Sequence, residues 1–159
     1  LYAAQLGVAN AGLFFTLYSV GALTSRLVAG RVFDRQGPAR VVGVGMGLLL
    51  ASYAALAFCQ TATGLLCAAF VMGLALGAVV LSLETMAVNA VPAVRRGAAS
   101  ATYNAGFDLG IGIGASVLGA VAHATGSYAT MYLVAGGIVV VAGGLFFGVI
   151  GRKTQGVQA

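Results

Sequence analysis

The chain has 159 residues, of which 60% are hydrophobic and only 7% are charged. Soluble domains carry about 25% charged residues, so eight basic and three acidic side chains are too few to cover a water-soluble fold of this length. Lipid tolerates an apolar surface, provided that the backbone is hydrogen-bonded within helices. The composition therefore excludes a soluble domain and predicts an all-α membrane protein.

Five apolar segments follow one another along the chain. Each is near the roughly 20 residues that a helix needs to cross the hydrocarbon core of a bilayer. The 25 glycines are typical of membrane helices that pack closely. The sequence thus predicts a polytopic bundle of five transmembrane helices, spanning about residues 9–30, 41–58, 63–90, 97–122 and 128–150.

The basic residues predict the orientation of these helices. Seven of the eight lie in the predicted loops 31–40 and 91–96 or in the C-terminal tail, whereas 59–62 and 123–127 contain no Lys or Arg. Five alternating spans place the three basic segments on the same side, which the positive-inside rule makes cytoplasmic. We expect an integral protein of the plasma (inner) membrane with a cytoplasmic C-terminus. Nucleic-acid binding is disfavoured because the charges are divided among short loops.

A charged motif follows the first apolar segment. The run GRVFDRQGPAR reads G-x-x-x-D-R-x-G-x-x-R and contains Gly30, Asp34, Arg35, Gly37 and Arg40. Glycine permits a tight turn, and the aspartate can pair with an arginine or with a helix N-terminus. Taken alone, the run could equally be a basic loop that only sets topology.

In this topological setting, the run resembles the cytoplasmic signature loop of the major facilitator superfamily, which follows the second helix of each six-helix half. Its last basic position is relaxed, since Pro-Ala-Arg replaces a denser basic cluster. A second segment, PAVRRGAAS followed by YNAGFDLG, resembles the junction between the tenth and eleventh helices of efflux-like members. The resemblance covers essentially the whole chain.

The resemblance implies that the five spans are helices eight to twelve of a twelve-helix fold. Residues 1–159 would then form a partial C-terminal six-helix bundle, whose seventh helix and N-terminal half lie upstream. The chain begins Leu-Tyr-Ala-Ala-Gln without an initiator Met, which fits this expectation. The resemblance also implies that the signature loop helps to lock one conformation of a transporter.

Ionisable residues inside membrane spans are costly and are therefore candidates for function. Arg26, Glu84 and Asp108 lie within the predicted spans, and Tyr103 and Asn104 lie near Asp108. Glu84 and Asp108 could hold a proton or face a substrate, but each could equally be a structural partner of a neighbouring helix. Arg26 could extend to the inner surface or pair with Glu84.

The sequence predicts secondary active transport of a small solute by alternating access, with proton-coupled efflux as the specific form. Expected partners are the solute, protons and the lipid bilayer. No enzyme activity, cofactor or metal is predicted, because the sequence shows no nucleophile with a nearby base and no spacing of metal ligands. The alternative is a five-helix accessory or structural membrane protein.

Overall fold

A computed structural model describes residues 12–58 and 61–150; the side chains of residues 28–36 and 149–150 lie outside this description. The described residues form helices without any strand. A short 3-10 turn, Ala93–Arg95, precedes the fourth helix, and a π-helical turn, Phe146–Ile150, ends the fifth. The five helices are α1 (Gly12–Gln36), α2 (Pro38–Phe58), α3 (Ala62–Asn89), α4 (Arg96–Thr125) and α5 (Tyr128–Leu145).

Four of these helices, α2 to α5, are long and apolar enough to cross a membrane. The helix α1 contains 25 residues and precedes them in the same bundle. An α-helix pairs its own backbone N–H and C=O groups, and this is required in a bilayer because hydrocarbon offers no hydrogen-bond partner. The prediction of an all-α membrane fold is confirmed.

The connection between α1 and α2 corrects one expectation from the sequence. A loop was predicted over residues 31–40, but α1 continues to Gln36 and α2 begins at Pro38. Gly37 alone separates the helices, with a φ of 79° in the left-handed region that favours glycine. Proline suits the first position of a helix, where its missing N–H costs nothing. Basic residues do not stop a helix, so the Gly-Pro pair sets the boundary.

The helices α3 and α5 begin with side-chain caps, whereas α4 has no side-chain cap hydrogen bond at its start. Thr61 Oγ1 accepts a hydrogen bond from the backbone N–H of Gly64 at 3.2 Å, and Ser127 Oγ accepts one from Thr130 at 3.3 Å. Gly126 ends α4 in the left-handed conformation, with a φ of 62°. These caps satisfy orphan N–H groups and allow short connections between neighbouring helices.

The helix α3 packs against α1, α2 and α4. Its contact with α1 is unusually close because glycines meet backbone there. A Cβ atom on Gly73 would overlap the carbonyl oxygen of Tyr18, and one on Gly21 would overlap that of Phe70. On the α2 side, a Cβ on Gly45 would lie 2.6 Å from Val79 Cγ2. Small residues permit such backbone approach between membrane helices.

The helix α4 differs from α3 because none of its residues is buried. It contacts α3 and α5 along part of its surface. Cβ atoms added to its glycines at positions 106, 110 and 114 would meet nothing within 4 Å. Few apolar contacts hold α4 in the described part of the chain, so its polar contacts with α3 carry more weight.

Candidate functional site

A cavity of about 540 Å³ lies between α1, α3 and α4. Residues spaced by four on α1, namely Tyr18, Ala22 and Arg26, form one wall. Because residues four apart share a helix face, this spacing lines a single stripe of α1. Glu84 lines the cavity from α3, and Phe107 lines it from α4. The volume lies within the roughly 300–1,000 Å³ that small-molecule sites occupy.

Gly77 of α3 lines the cavity at a close contact between α3 and α1. A Cβ on Gly77 would lie 2.8 Å from Ser25 Oγ and 3.0 Å from the carbonyl oxygen of Ala22. Ser25 is only 2% exposed, and its hydroxyl has no hydrogen-bond partner among the described residues. Glycine at position 77 therefore keeps space open at this point, where any side chain would press on α1.

Arg26 and Glu84 line the same cavity but do not pair with each other. No ion pair within 4.0 Å joins these two side chains, both of which belong to the described residues. Arg26 is exposed, and Glu84 is half-buried. The cavity thus carries one positive and one negative group on largely apolar walls. Such charges are costly within a membrane span and mark functional positions by default.

The carboxylate of Glu84 is held by α4. Its Oε1 accepts hydrogen bonds from Ser100 Oγ at 2.8 Å and from Asn104 Nδ2 at 3.3 Å. Asn104 Nδ2 also donates to the carbonyl oxygen of Ser100 at 2.9 Å. Ser100 and Asn104 are four residues apart and so share one face of α4. Two donors on α4 therefore meet at one oxygen of this carboxylate.

A second contact between α3 and α4 lies beside this cluster. The hydroxyl of Tyr103 donates to the carbonyl oxygen of Val80 at 3.0 Å. The ring of Tyr103 stacks with that of Phe107, with centroids 6.4 Å apart and an interplanar angle of 9°. Tyr103 therefore contacts the aromatic side chain by which α4 lines the cavity.

Asp108 lies apart from these residues. It follows Asn104 by one helical turn but is exposed, and no hydrogen bond or ion pair of its side chain occurs within the described part of the chain. It does not line the cavity. Of the five predicted site residues in the spans, the structure thus brings four together, Arg26, Glu84, Tyr103 and Asn104, and leaves Asp108 outside.

The residues of the predicted signature loop are only partly described. The backbone of Gly30, Asp34 and Arg35 is helical within α1, and their side chains lie outside the described residues. Gly37 forms the break between α1 and α2, and Arg40 is exposed in the first turn of α2. The motif therefore spans a helix end and a helix start, separated by a single residue.

Two parts of the site went unrecognised in the sequence. Ser100 and Phe107 occur in the segment that resembles the efflux-like junction, but neither was singled out as a site residue. The signal for Ser100 was present, since the short connection after α3 brings residue 100 level with residue 84. Phe107 had no such signal, because the rotation of α4 about its own axis determines which neighbouring helix the Phe107 side chain faces.

Among the described residues, no group of three His, Cys, Asp or Glu side chains is arranged to hold a metal ion.

The fold and the cavity together define a polytopic helical membrane protein with a polar site between its helices. A family comparison matches residues 1–158 to the Major Facilitator Superfamily. The chain belongs to this superfamily of membrane transporters, whose members move small solutes across a lipid bilayer. Searches among curated proteins and among solved structures gave no match.

Proposed function

We propose that the protein carries out secondary active transport of a small solute by alternating access, as part of the C-terminal half of a twelve-helix transporter. The observation that supports this most is the pair of opposite charges, Arg26 and Glu84, on one cavity between three helices. Transporters of this architecture bind solutes between helices and expose the site alternately by rocking helix bundles. The helices α1 and α3 would move as one unit, because they meet at close glycine contacts. The helix α4 is joined to α3 by the hydrogen bonds of Glu84 and Tyr103.

Protons are the proposed coupling ion, with Glu84 as the group that binds them. The charged residue that lines the same cavity is Arg26 from α1, and the neutral side chains of Ser100 and Asn104 from α4 donate hydrogen bonds to Glu84. Tyr18 of α1 also lines the cavity, and Tyr103 of α4 lies beside Glu84. Protonation would remove the negative charge from the cavity and weaken the two hydrogen bonds to α4. Both solute affinity and the contact between α3 and α4 would then respond to the proton.

The direction we propose is efflux by exchange for protons, in the inner membrane and with the C-terminus in the cytoplasm. The efflux-like segment before and within α4 supports this direction. In an exchanger, proton and solute compete for one group, and a single cavity carboxylate suits that arrangement. The motif with Gly30, Asp34, Arg35, Gly37 and Arg40 would act as the cytoplasmic latch of one conformation.

Proteoliposomes that contain the protein and a trapped pH-sensitive dye test this proposal. A panel of small solutes is added on one side, and the lumenal pH is followed. We expect at least one solute to drive proton movement in the opposite direction. In Glu84→Gln, solute-driven proton movement should be lost, because the side chain at position 84 can no longer bind a proton in exchange for solute. Arg95→Gln, an exposed cation outside the cavity, serves as the control.

The same vesicles separate transport from an accessory role. An accessory membrane protein would move neither solute nor protons with any member of the panel, and Glu84→Gln would then change nothing. If proton movement is lost in Asp108→Asn and kept in Glu84→Gln, the coupling group is Asp108 and the assignment to Glu84 is wrong.

A further inference from the structure

The charges of the cavity point to a class of solute. Among the described residues that line it, Arg26 and Glu84 are the two charged ones, so their formal charges cancel. The remaining walls are uncharged and mostly apolar, with Leu76, Val80 and Leu81 contributed by α3. A charged group of a solute loses hydration when it enters such a site, and the free-energy cost of this loss is offset only if the group meets a partner of opposite charge. A solute with one positive and one negative group meets both requirements at once.

We infer that the cavity binds an amphoteric solute, with an amine and a carboxylate on an apolar body, such as an apolar amino acid or a short apolar peptide. This inference rests on the transport function proposed above. The carboxylate of the solute is bound by the Arg26 guanidinium, and its ammonium group is bound by the Glu84 carboxylate.

The state of the two side chains favours this assignment. The guanidinium of Arg26 is not joined to Glu84, so its planar fork of donors is available to a carboxylate. Glu84 is fixed through Oε1 by Ser100 and Asn104, and these hydrogen bonds leave Oε2 for another donor. The Arg26 guanidinium is therefore accessible to a ligand, and the Glu84 carboxylate is held in place by α4. The two groups do not form an ion pair with each other.

The aromatic residues provide the apolar part of the site. Tyr18 on α1 and Phe107 on α4 both line the cavity, and Phe107 is stacked on Tyr103. A fixed aromatic ring offers apolar contact at little cost in side-chain freedom. Two aromatic residues on different helices suit a solute with an apolar side chain.

Solutes with a single charge fit less well. A simple organic cation that binds Glu84 also experiences repulsion from Arg26, and a simple anion that binds Arg26 experiences repulsion from Glu84. Like charges in a poorly solvated site discriminate strongly between ligands. The ammonium group of the solute also competes with a proton for Glu84, which gives exchange of the two.

Binding to the detergent-solubilised protein tests the inference with matched ligands. L-Phenylalanine, L-leucine and the dipeptide L-alanyl-L-phenylalanine are each compared with the N-acetyl derivative and the methyl ester. The increase in the temperature of unfolding with ligand concentration gives the apparent affinity. We expect at least one amphoteric ligand to bind about tenfold or more tightly than both of its blocked derivatives, as expected for loss of one charged contact.

Two variants assign the contacts. In Arg26→Gln, the amphoteric ligand should lose its advantage over the methyl ester, and in Glu84→Gln it should lose its advantage over the N-acetyl derivative. Arg95→Gln should keep the preferences of the unaltered protein. Equal or tighter binding of a blocked derivative by the unaltered protein, or no binding of any amphoteric ligand, would overturn the inference.

The vesicle experiment distinguishes this failure from failure of the transport proposal. If the vesicles show proton-coupled movement of solutes that are not amphoteric, and no amphoteric ligand binds, the transport proposal stands and the inferred class of solute is wrong. Amphoteric binding that depends on Arg26 and Glu84, but without any flux, would support the site and refute transport.

Discussion

Gly73 in α3 packs directly on the backbone carbonyl oxygen of Tyr18 in α1, and this contact leaves no room for a Cβ atom. Tyr18 also lines the cavity, so the same contact sets the position of a cavity wall. Gly21 repeats the arrangement from the other helix, against the carbonyl oxygen of Phe70. Neither helix can approach as closely with a larger residue at these positions.

Gly73→Ala is therefore expected to destabilise the bundle. The added methyl group meets backbone, which cannot move aside as a flexible side chain can, and overpacking of this kind costs about 1–3 kcal/mol. Thermal unfolding in detergent micelles measures the change. The matched control is Gly47→Ala in α2, where a Cβ would meet nothing within 4 Å and alanine gains up to about 1 kcal/mol in helix propensity. Equal stability of the two variants would contradict the close contact.

Gly37→Ala is expected to destabilise the junction between α1 and α2. The φ of 79° at Gly37 is strained for residues with a Cβ, at a cost of about 1–2 kcal/mol. A Cβ there would meet nothing within 4 Å, so the effect would come from the backbone alone. Gly37→Asn is the matched variant, because asparagine tolerates this conformation better. Unfolding temperatures in the order glycine, asparagine, alanine are expected, and a more stable alanine variant would show that the turn is not left-handed.

The sequence predicted the helices better than their ends. Five apolar runs correspond to five helices, since burial in lipid leaves few alternatives to a helix. The sequence predicts a loop at residues 31–36 because three of these six residues are charged, yet charged residues are compatible with a helix, and the Gly-Pro pair that follows breaks it. The proximity of Ser100 and Glu84 follows from the short connection between α3 and α4.

The composition of the cavity could not be predicted in the same way. Whether Arg26 pairs with Glu84 depends on the separation and rotation of α1 and α3, and glycine contacts such as that of Gly73 determine both. Those contacts depend on which faces of two helices meet, and the sequence alone leaves that choice open. Asp108 illustrates the limit, since the sequence places it within a predicted span but does not determine which way its side chain faces.

The hydrogen bonds of Glu84 are expected to contribute measurably to the attachment of α4. Ser100→Ala removes a donor to the Glu84 carboxylate, and Glu84→Ala removes the acceptor. Because hydrogen bonds between membrane helices average about 0.6 kcal/mol and reach about 1.7 kcal/mol, a coupling energy of about 1 kcal/mol is expected from the two single variants and the double variant. Unfolding in detergent provides these values.

A control for this cycle uses a hydroxyl of α4 that bonds within its own helix. Ser116 Oγ donates to the carbonyl oxygen of Gly112 at 2.9 Å, so Ser116→Ala should be additive with Glu84→Ala. Coupling as large for Ser116 as for Ser100 would show that the effect is indirect.

Asp108→Asn should leave the stability of the bundle unchanged within about 0.5 kcal/mol, as for most exposed sites without special contacts. Its side chain is exposed and makes no hydrogen bond within the described part of the chain. By contrast, Glu84→Ala should destabilise the bundle, because Ser100 and Asn104 lose the acceptor they share. The two variants are compared by thermal unfolding in detergent and by solute-driven proton movement in vesicles. Large destabilisation by Asp108→Asn would reveal a structural partner for this carboxylate. Unchanged stability with lost proton movement would instead make Asp108 a functional group that faces a part of the transport path other than the cavity beside Glu84.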